Sequence, residues 1–234
     1  MAKVPTIDRR EILAQNPLLR SLDREHVEAL AARTRTVTHR ANEVIFLKGD
    51  PGSGLIAVIG GRVKISVTSA EGRELILNII DPGEFFGEIA LLDGKDRTAD
   101  AIAMTDCSLL VLDRRDFLPL VEHYPDMALK LIAVLCERLR HTSEHMEDVL
   151  FLEVPARLAR RLLVLAHDHG EPTSQGVRID FRLSQQEIGN MIGISRESIN
   201  KQFSEWRKSG LISVENSFIT LKNESQLRRI AGDL

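Results

Sequence analysis

Residues 184–210 read SQQEIGNMIGISRESINKQFSEWRKSG, and their spacing decides the fold of the C-terminal third of this 234-residue chain. Ser184 stands just before an apolar-periodic run, and Glu187 follows three residues on, which makes a capping box at a helix start. Gly189 is small enough for close helix contact, and Gly193 suits a sharp turn. Ser195 opens a second helix, with Ser198 rather than an acid at the box position. Ile188, Ile192, Ile194 and Ile199 are spaced to hold the two helices together, so the stretch reads as a helix-turn-helix. Gly210 ends the second helix. The following LISVENSFITL, residues 211–221, has the form of a β-hairpin wing turning at Glu215 and Asn216.

An ordinary helical hairpin with a charged solvent face is the competing reading. Two caps, two glycines, the Ile spacing and the wing together outweigh it. In motifs of this kind the first residues of the second helix meet base edges in the major groove of double-stranded DNA. Here they are Ser195, Arg196, Glu197, Ser198 and Lys201, with Ser184 capping the helix before them. Arg196 can bond bidentately to guanine and Glu197 can accept from cytosine N4. Charge agrees. The whole chain carries −3, but residues 155–234 hold 12 Lys plus Arg against 9 Asp plus Glu, a net +3, which leaves −6 on residues 1–154. Phosphate contact needs the positive half to be the one bearing the motif. Aromatic residues make up only 4%, too few for a base-stacking platform on single strands.

Working outward, Pro155 suits the first turn of a helix that runs through ARLARRLLVLAHDHG and stops at Gly170. Residues 168–177 read as a polar loop and RIDFRL, 178–183, as a strand. Upstream, a long helix is expected from about Pro125 to Leu152. Along it Ala128, Ile132, Leu135, Leu139, Thr142, Met146 and Val149 are spaced alternately by four and three residues, a heptad seam that favours self-pairing into a homodimer over packing on its own domain. Residues 37–113 alternate short Val/Ile-rich runs with Gly, Asp and Pro, which reads as an antiparallel barrel or sandwich. A short helix follows in DRRDFLPLVEHYPD. Residues 8–36 carry helical periodicity through Ile12, Leu13, Leu18, Leu22, Val27, Leu30 and Ala31, with Asp23 as a cap.

Within the β-rich region lies GEFFGEIALLDGKDRTADA, residues 83–101. Gly87 lets the chain turn closely past a ligand, and EIALL forms one helical turn whose amides suit an anion. The amides of Glu88, Ile89 and Ala90 open that turn. Arg97 supplies a charged fork for the same phosphate and Thr98 a hydroxyl or amide, while Glu88 can accept from a ribose hydroxyl. An Arg97–Glu88 ion pair across a hairpin is the alternative.

GEIALLDGKDRTA, residues 87–99, resembles the phosphate-binding cassette of cyclic-nucleotide domains. The order of β-rich domain, long helix and winged helix-turn-helix resembles the Crp/Fnr transcription regulators over about residues 10–222. HTSEHMEDVLFLEV, residues 141–154, is most similar to the cAMP-receptor branch. The resemblance implies an α+β chain: an antiparallel, jelly-roll-like β-roll domain over 1–124, a dimerisation helix and hinge over 125–154, and a winged helix-turn-helix over 155–234. It implies that Glu88 binds the ribose 2′-hydroxyl, that Arg97 and Thr98 bind the cyclic phosphate, and that Thr142 and Ser143, one from each subunit, contact the purine. It further implies that Arg196, Glu197 and Lys201 read palindromic promoter DNA, and that RNA polymerase is a partner. Thr directly after the cassette Arg is a feature of domains that accept cGMP, so cAMP is expected first and cGMP second. Lys201 stands where the family has Arg; it keeps a donor to guanine and loses the bidentate fork. Loop 168–177 matches the family's polymerase-contacting loop in place but differs in residues. A ligand-independent or redox-responsive regulator of the same type, and a cyclic-nucleotide subunit acting on a protein partner, remain as alternatives.

Other chemistry has little support. No run of about 18 apolar residues is present and the N-terminus is charged, so neither membrane nor secretion is expected, and the default location is the cytoplasm. Cys107 and Cys136 alone cannot make a four-cysteine zinc or iron–sulfur site, and the family's oxygen-sensing N-terminal cysteine cluster is missing. Neither metal nor haem is expected. His141 and His145 have zinc-compatible spacing without a third ligand and read as solvated. His167 and His169 read as helix-end residues, and Cys136 as a small core residue. No GxSxG motif or other nucleophile arrangement suggests an enzyme.

Overall fold

The structure, a computed structural model, describes residues 23–232. The expected helical positions Ile12, Leu13, Leu18 and Leu22 lie outside them. The described chain divides into two compact units, residues up to 68 with 77–140, and 69–76 with 141 onward.

In the first unit, helix α1 (Arg24–Arg33) starts where Asp23 accepts the amide of His26 at 2.9 Å, and it buries Val27 and Leu30. Eight strands follow, of which β5 has its first three residues in the second unit: β1 (Arg35–His39), β2 (Val44–Phe46), β3 (Gly54–Gly60), β4 (Val63–Thr68), β5 (Glu74–Ile80), β6 (Phe85–Phe86), β7 (Asp100–Ala103) and β8 (Cys107–Asp113). They form two antiparallel sheets of order β1-β8-β3-β6 and β2-β7-β4-β5. Side chains alternate across a strand. Accordingly Ile56, Val58, Leu109 and Val111 face a core shared with Val63, Ile80, Phe86, Ala101 and Ala103 of the rest of the roll. Leu55, Leu110 and Leu112 face the other way, onto Val27, Leu30, Phe117, Met127 and Leu131. Burial of both faces explains why β3 and β8 read as continuous apolar runs rather than alternating ones. Between β6 and β7 sits the short helix α2 (Glu88–Asp93). After β8 come α3 (Arg114–His123) and α4 (Pro125–Phe151), a 27-residue helix about 40 Å long.

The second unit holds α5 (Val154–His169), β9 (Gly170–Thr173), β10 (Gly176–Ile179), α6 (Gln185–Ile192), α7 (Arg196–Lys208), β11 (Ile212–Glu215), β12 (Phe218–Leu221) and α8 (Glu224–Ala231). The capping box is complete: Ser184 Oγ accepts the Glu187 amide at 3.1 Å, and Glu187 accepts the Ser184 amide at 2.7 Å. Gly193 takes φ +72° to end α6, and a Cβ on Gly189 would lie 2.6 Å from the Ile194 carbonyl, so only glycine lets the two helices approach this closely. Ile188, Ile192, Ile199 and Phe203 are buried between them. The wing turns at Asn216 and Ser217, φ +50° and +66°, one residue later than expected, because Glu215 pairs with Phe218 across a two-residue turn.

Two readings of this region are corrected. Residues 168–177 are not a loop: β9 and β10 pair as a hairpin with Thr173 opposite Gly176. The strand expected over 178–183 instead spans 176–179, because Val177 and Arg178 are recruited by Leu221 and Thr220 of β12. The polar local sequence carries no trace of that long-range pairing.

Replacing Ser184 by Ala should remove about 1 kcal/mol of stability from the second unit, measured as a lower urea midpoint with unchanged slope. In the first unit, the His26 amide, its ring and the Tyr124 hydroxyl hold the Asp23 carboxyl at about 2, below its ordinary 3.8. A depressed carboxyl stabilises fully above its unfolded value and loses that contribution as pH falls through the folded one. Asn still caps a helix, so Asp23→Asn should leave a thermal midpoint that declines less steeply than the wild type's as pH falls from about 4 to about 2.

Candidate functional site

Strand β6 runs into Gly87, whose φ of +83° turns the chain into α2, and Gly94 at φ +72° closes that helix. Arg97 follows and is pinned through its backbone: its amide donates to the Asp50 carbonyl and its carbonyl accepts from Gly49, both at 2.9 Å. Its side chain turns inward and is only 8% exposed. Nη1 donates to the Gly87 carbonyl at 2.9 Å and Nη2 to the Gly54 carbonyl at 3.1 Å. The guanidinium lies 4.3 Å from the centre of the Phe46 ring. Two glycines frame it. A Cβ at Gly87 would stand 2.4 Å from Nη1, and one at Gly52 would stand 2.2 Å from the Ala90 Cβ and 3.2 Å from Nε. Nε itself is buried and makes no hydrogen bond. A fixed cation therefore keeps one oriented donor unused, a feature that fits an anion such as a cyclic phosphate. Burial lowers the Arg97 pKa, while Glu88 and Asp50 oppose that shift.

Glu88 is 2% exposed, and its partner is not Arg97. The carboxylate pairs with Arg138 Nη1 at 2.5 Å. Arg138 also donates to the Phe85 carbonyl and lies against the Phe85 ring. The hairpin ion pair considered from sequence is thus replaced by a contact from α4. The sequence reading missed Arg138, although a signal existed. It stands seven residues beyond Leu131 and eleven beyond Met127, on the helix face that packs against the roll. Ala90 is buried beneath this site, while Ile89 and Thr98 are exposed at its rim. Gly87, Glu88, Ile89, Ala90, Arg97 and Thr98 are thus brought together, and Gly52, Phe46 and Arg138 join them.

Thr142 lies one turn beyond Arg138 on α4, and Thr142 and Ser143 are both exposed. The heptad seam is exposed too: Ile132 by 53%, Leu139 by 67%, Met146 by 60% and Val149 by 44%, with Ala128 and Leu135 half-buried. Cys136, expected in a core, is exposed, because it sits beside that seam rather than under it. His145, expected to be solvated, is half-buried with its Nε2 enclosed.

In the second unit, Arg196, Glu197, Ser198 and Lys201 are all exposed on the first turns of α7, beside the exposed caps Ser184 and Ser195. Glu197 is held below the ordinary carboxylate range by its own backbone amide at the helix start, then by the Ser195 hydroxyl, so it stays an acceptor. Phe203 is buried in the core of this unit, and Gln202 beside it is half-buried. On the wing, Phe218 has the guanidiniums of Arg178 and Arg182 at 5.5 and 5.6 Å from its ring centre. Sequence reading did not single out these two arginines, whose grouping depends on the β10–β12 pairing. Among the described residues no His, Cys, Asp and Glu cluster could hold a metal, and no helix is long and apolar enough to cross a membrane.

Comparison with known proteins finds two domain families along the chain. Residues 36–124 match the model of the cyclic nucleotide-binding domain, and residues 156–230 that of the Crp-like helix-turn-helix domain. The "CRP-like cAMP-activated global transcriptional regulator" of Mycobacterium tuberculosis is 31% identical over 221 residues, 94% of this chain and 99% of that protein. The "cAMP-activated global transcriptional regulator CRP" of Escherichia coli is 31% identical over 183 residues, 77% of this chain and 86% of that one. Among solved structures, the c-di-GMP responsive global regulator CLP of Xanthomonas campestris has a TM-score of 0.73 at 27% identity, covering 86% of this chain and all of that one. These relatives are regulators of transcription rather than enzymes. With a buried Arg97 and Glu88 in a β-roll, a helix-turn-helix in the second unit and this similarity along nearly the whole chain, the protein belongs to the Crp/Fnr family of transcription regulators.

Proposed function

We propose that the protein is a homodimeric, cytoplasmic transcription regulator gated by a cyclic mononucleotide, cAMP first and cGMP second. The observation that carries this reading is the buried Arg97, framed by Gly52 and Gly87 and left with one partnerless donor, beside an equally buried Glu88. Arg97 Nε and the Thr98 hydroxyl would donate to the cyclic phosphate, and Glu88, held by Arg138, would accept from the ribose 2′-hydroxyl. Thr142 and Ser143 would meet the purine from the two subunits. A hydroxyl both donates and accepts, so either purine edge can be served, and Thr98 adds a contact open to the guanine 2-amino group.

Dimerisation would use the exposed seam of α4, where Ile132, Leu139, Met146 and Val149 form an apolar stripe at heptad spacing. Two recognition helices about 34 Å apart would then enter successive major grooves of a palindrome. Arg196, Glu197 and Lys201 would read bases, and Arg178 and Arg182 beside the wing would meet phosphates. Contact with RNA polymerase at a promoter belongs to the same reading. A nucleotide shifts the conformational equilibrium only through unequal affinity for the two states, so operator DNA must tighten the nucleotide by the factor with which the nucleotide tightens DNA.

Calorimetric titration with cAMP, cGMP and cyclic di-GMP, with and without a palindromic TGT-containing duplex, tests this. Tighter cAMP binding in the presence of the duplex is expected, and identical affinities would sink the mechanism. Arg97→Gln should weaken cAMP by about tenfold or more with the thermal midpoint little changed, since it removes a charged donor to phosphate. Leu139→Asp places a charge on the seam and should give a monomer by light scattering. A variant that stays dimeric would place the interface elsewhere.

A further inference from the structure

Where α4 ends and α5 begins, two half-buried arginines and a half-buried histidine have no role in the proposed function. Nε of Arg157, Nε of Arg161 and Nε2 of His145 are each enclosed, and each lacks a hydrogen-bond partner. Arg157 and Arg161 are one turn apart on α5, a spacing at which like charges repel. The acid nearest to hand is already engaged: Asp148, three residues beyond His145 on α4, accepts Nη1 of Arg160 at 2.5 Å. Arg157 reaches only a neutral acceptor, the Ile192 carbonyl, at 3.3 Å from Nη1. Asp168, seven residues further along α5, is the acid that acts on Arg161. Enclosed cationic donors without partners are costly, and an anion that accepts from them offsets that cost.

We propose that this corner binds a small phosphoryl oxyanion, a phosphate monoester or a diphosphate, through Arg157, Arg161 and His145. Guanidinium forks match phosphoryl oxygens in geometry as well as charge. A phosphoryl group offers three acceptor oxygens to three donor side chains, whereas a carboxylate offers two. Each of the three residues as a whole is half-buried rather than sealed, so part of each side chain meets solvent although the Nε and Nε2 atoms themselves are enclosed. The site lies within the second unit and shares no residue with the proposed nucleotide pocket or with the recognition helix.

His145 supplies a local readout. Burial first, then Arg161 and, less strongly, Arg157, hold its imidazole below the ordinary 6.5, with Asp148 opposing them. A bound anion acts in the opposite sense and raises it. The full-length protein is titrated with sodium diphosphate at constant ionic strength while the histidine ring resonances are followed by NMR, the His145 signal being assigned with His145→Gln. Diphosphate should move the His145 titration midpoint upward saturably. Arg161→Gln should need about tenfold or more diphosphate for the same shift. Arg161→Lys, which keeps the charge and the packing stem, should retain a weaker response and serves if the Gln variant does not fold. No shift beyond that of matched sodium chloride overturns the proposal. So does a shift independent of Arg161, an equal response to acetate, or a shift produced by duplex DNA and not by diphosphate.

Discussion

The first unit depends on β3 and β8 being apolar on both faces. One face closes the roll through Ile56, Val58, Leu109 and Val111, and the other receives helices through Leu55, Leu110 and Leu112. Met127 and Leu131 are the residues by which α4 answers that second face, and they fix its rotation about its own axis. At about 100° per residue, Met127, Leu131, Val134 and Arg138 share one stripe of the helix. Packing two leucine-rich strands against two apolar residues therefore also decides where a guanidinium seven residues further along is delivered. That guanidinium meets Glu88, which the roll presents from the start of α2.

Such a contact is costly to assemble and useful once assembled. Removing a carboxylate and a guanidinium from water costs on the order of several kcal/mol per ion before their attraction offsets it. The chain meets that cost with additional partners. Arg138 also engages the Phe85 carbonyl and ring, and Arg97 engages two carbonyls and the Phe46 ring. Both cations are thereby fixed in one orientation, and the Nε of Arg97 is left without a partner, so an anion accepting from it would add little further ordering cost. Glycine at 52 and 87 is the sequence-level counterpart: at either place a single Cβ would occupy the space the guanidinium or the α2 turn now fills.

The parts of the fold governed by local chemistry were legible. Asp23, Ser184 and Ser195 each cap the helix their position predicts, and the apolar runs of β3 and β8 appear as strands because burial on both faces leaves no helical period to confuse them. The cassette was legible as a motif because glycine, a helical turn and an arginine lie within eleven residues. What stayed hidden depends on partners distant in sequence. Arg138 lies 50 residues from Glu88, and its spacing from Met127 and Leu131 marks its helix face but not its partner. The β9–β10 hairpin takes its register partly from β12, so its own Pro, Ser, Gln and Gly read as loop. His145 is half-buried and feels Arg161 and Arg157 of α5, whereas a helical wheel of α4 alone shows a polar residue among polar residues.

The two stripes of α4 also explain why its apolar pattern misleads if read as one surface. The seam Ile132, Leu139 and Met146 runs about a quarter-turn from the stripe of Met127, Leu131 and Arg138. The helix is thus amphipathic twice over, with one stripe committed to the roll and the other exposed. Within the first unit, the stripe that begins as hydrophobic core becomes an ion pair at Arg138. A rotation of the first-unit turns of α4 large enough to move Ile132 and Leu139 would swing Arg138 away from Glu88, because the same hydrogen-bonded turns carry all three. That shared rotation is the physical reason for expecting events at Arg97 and Glu88 and at the exposed Ile132 and Leu139 to be felt together.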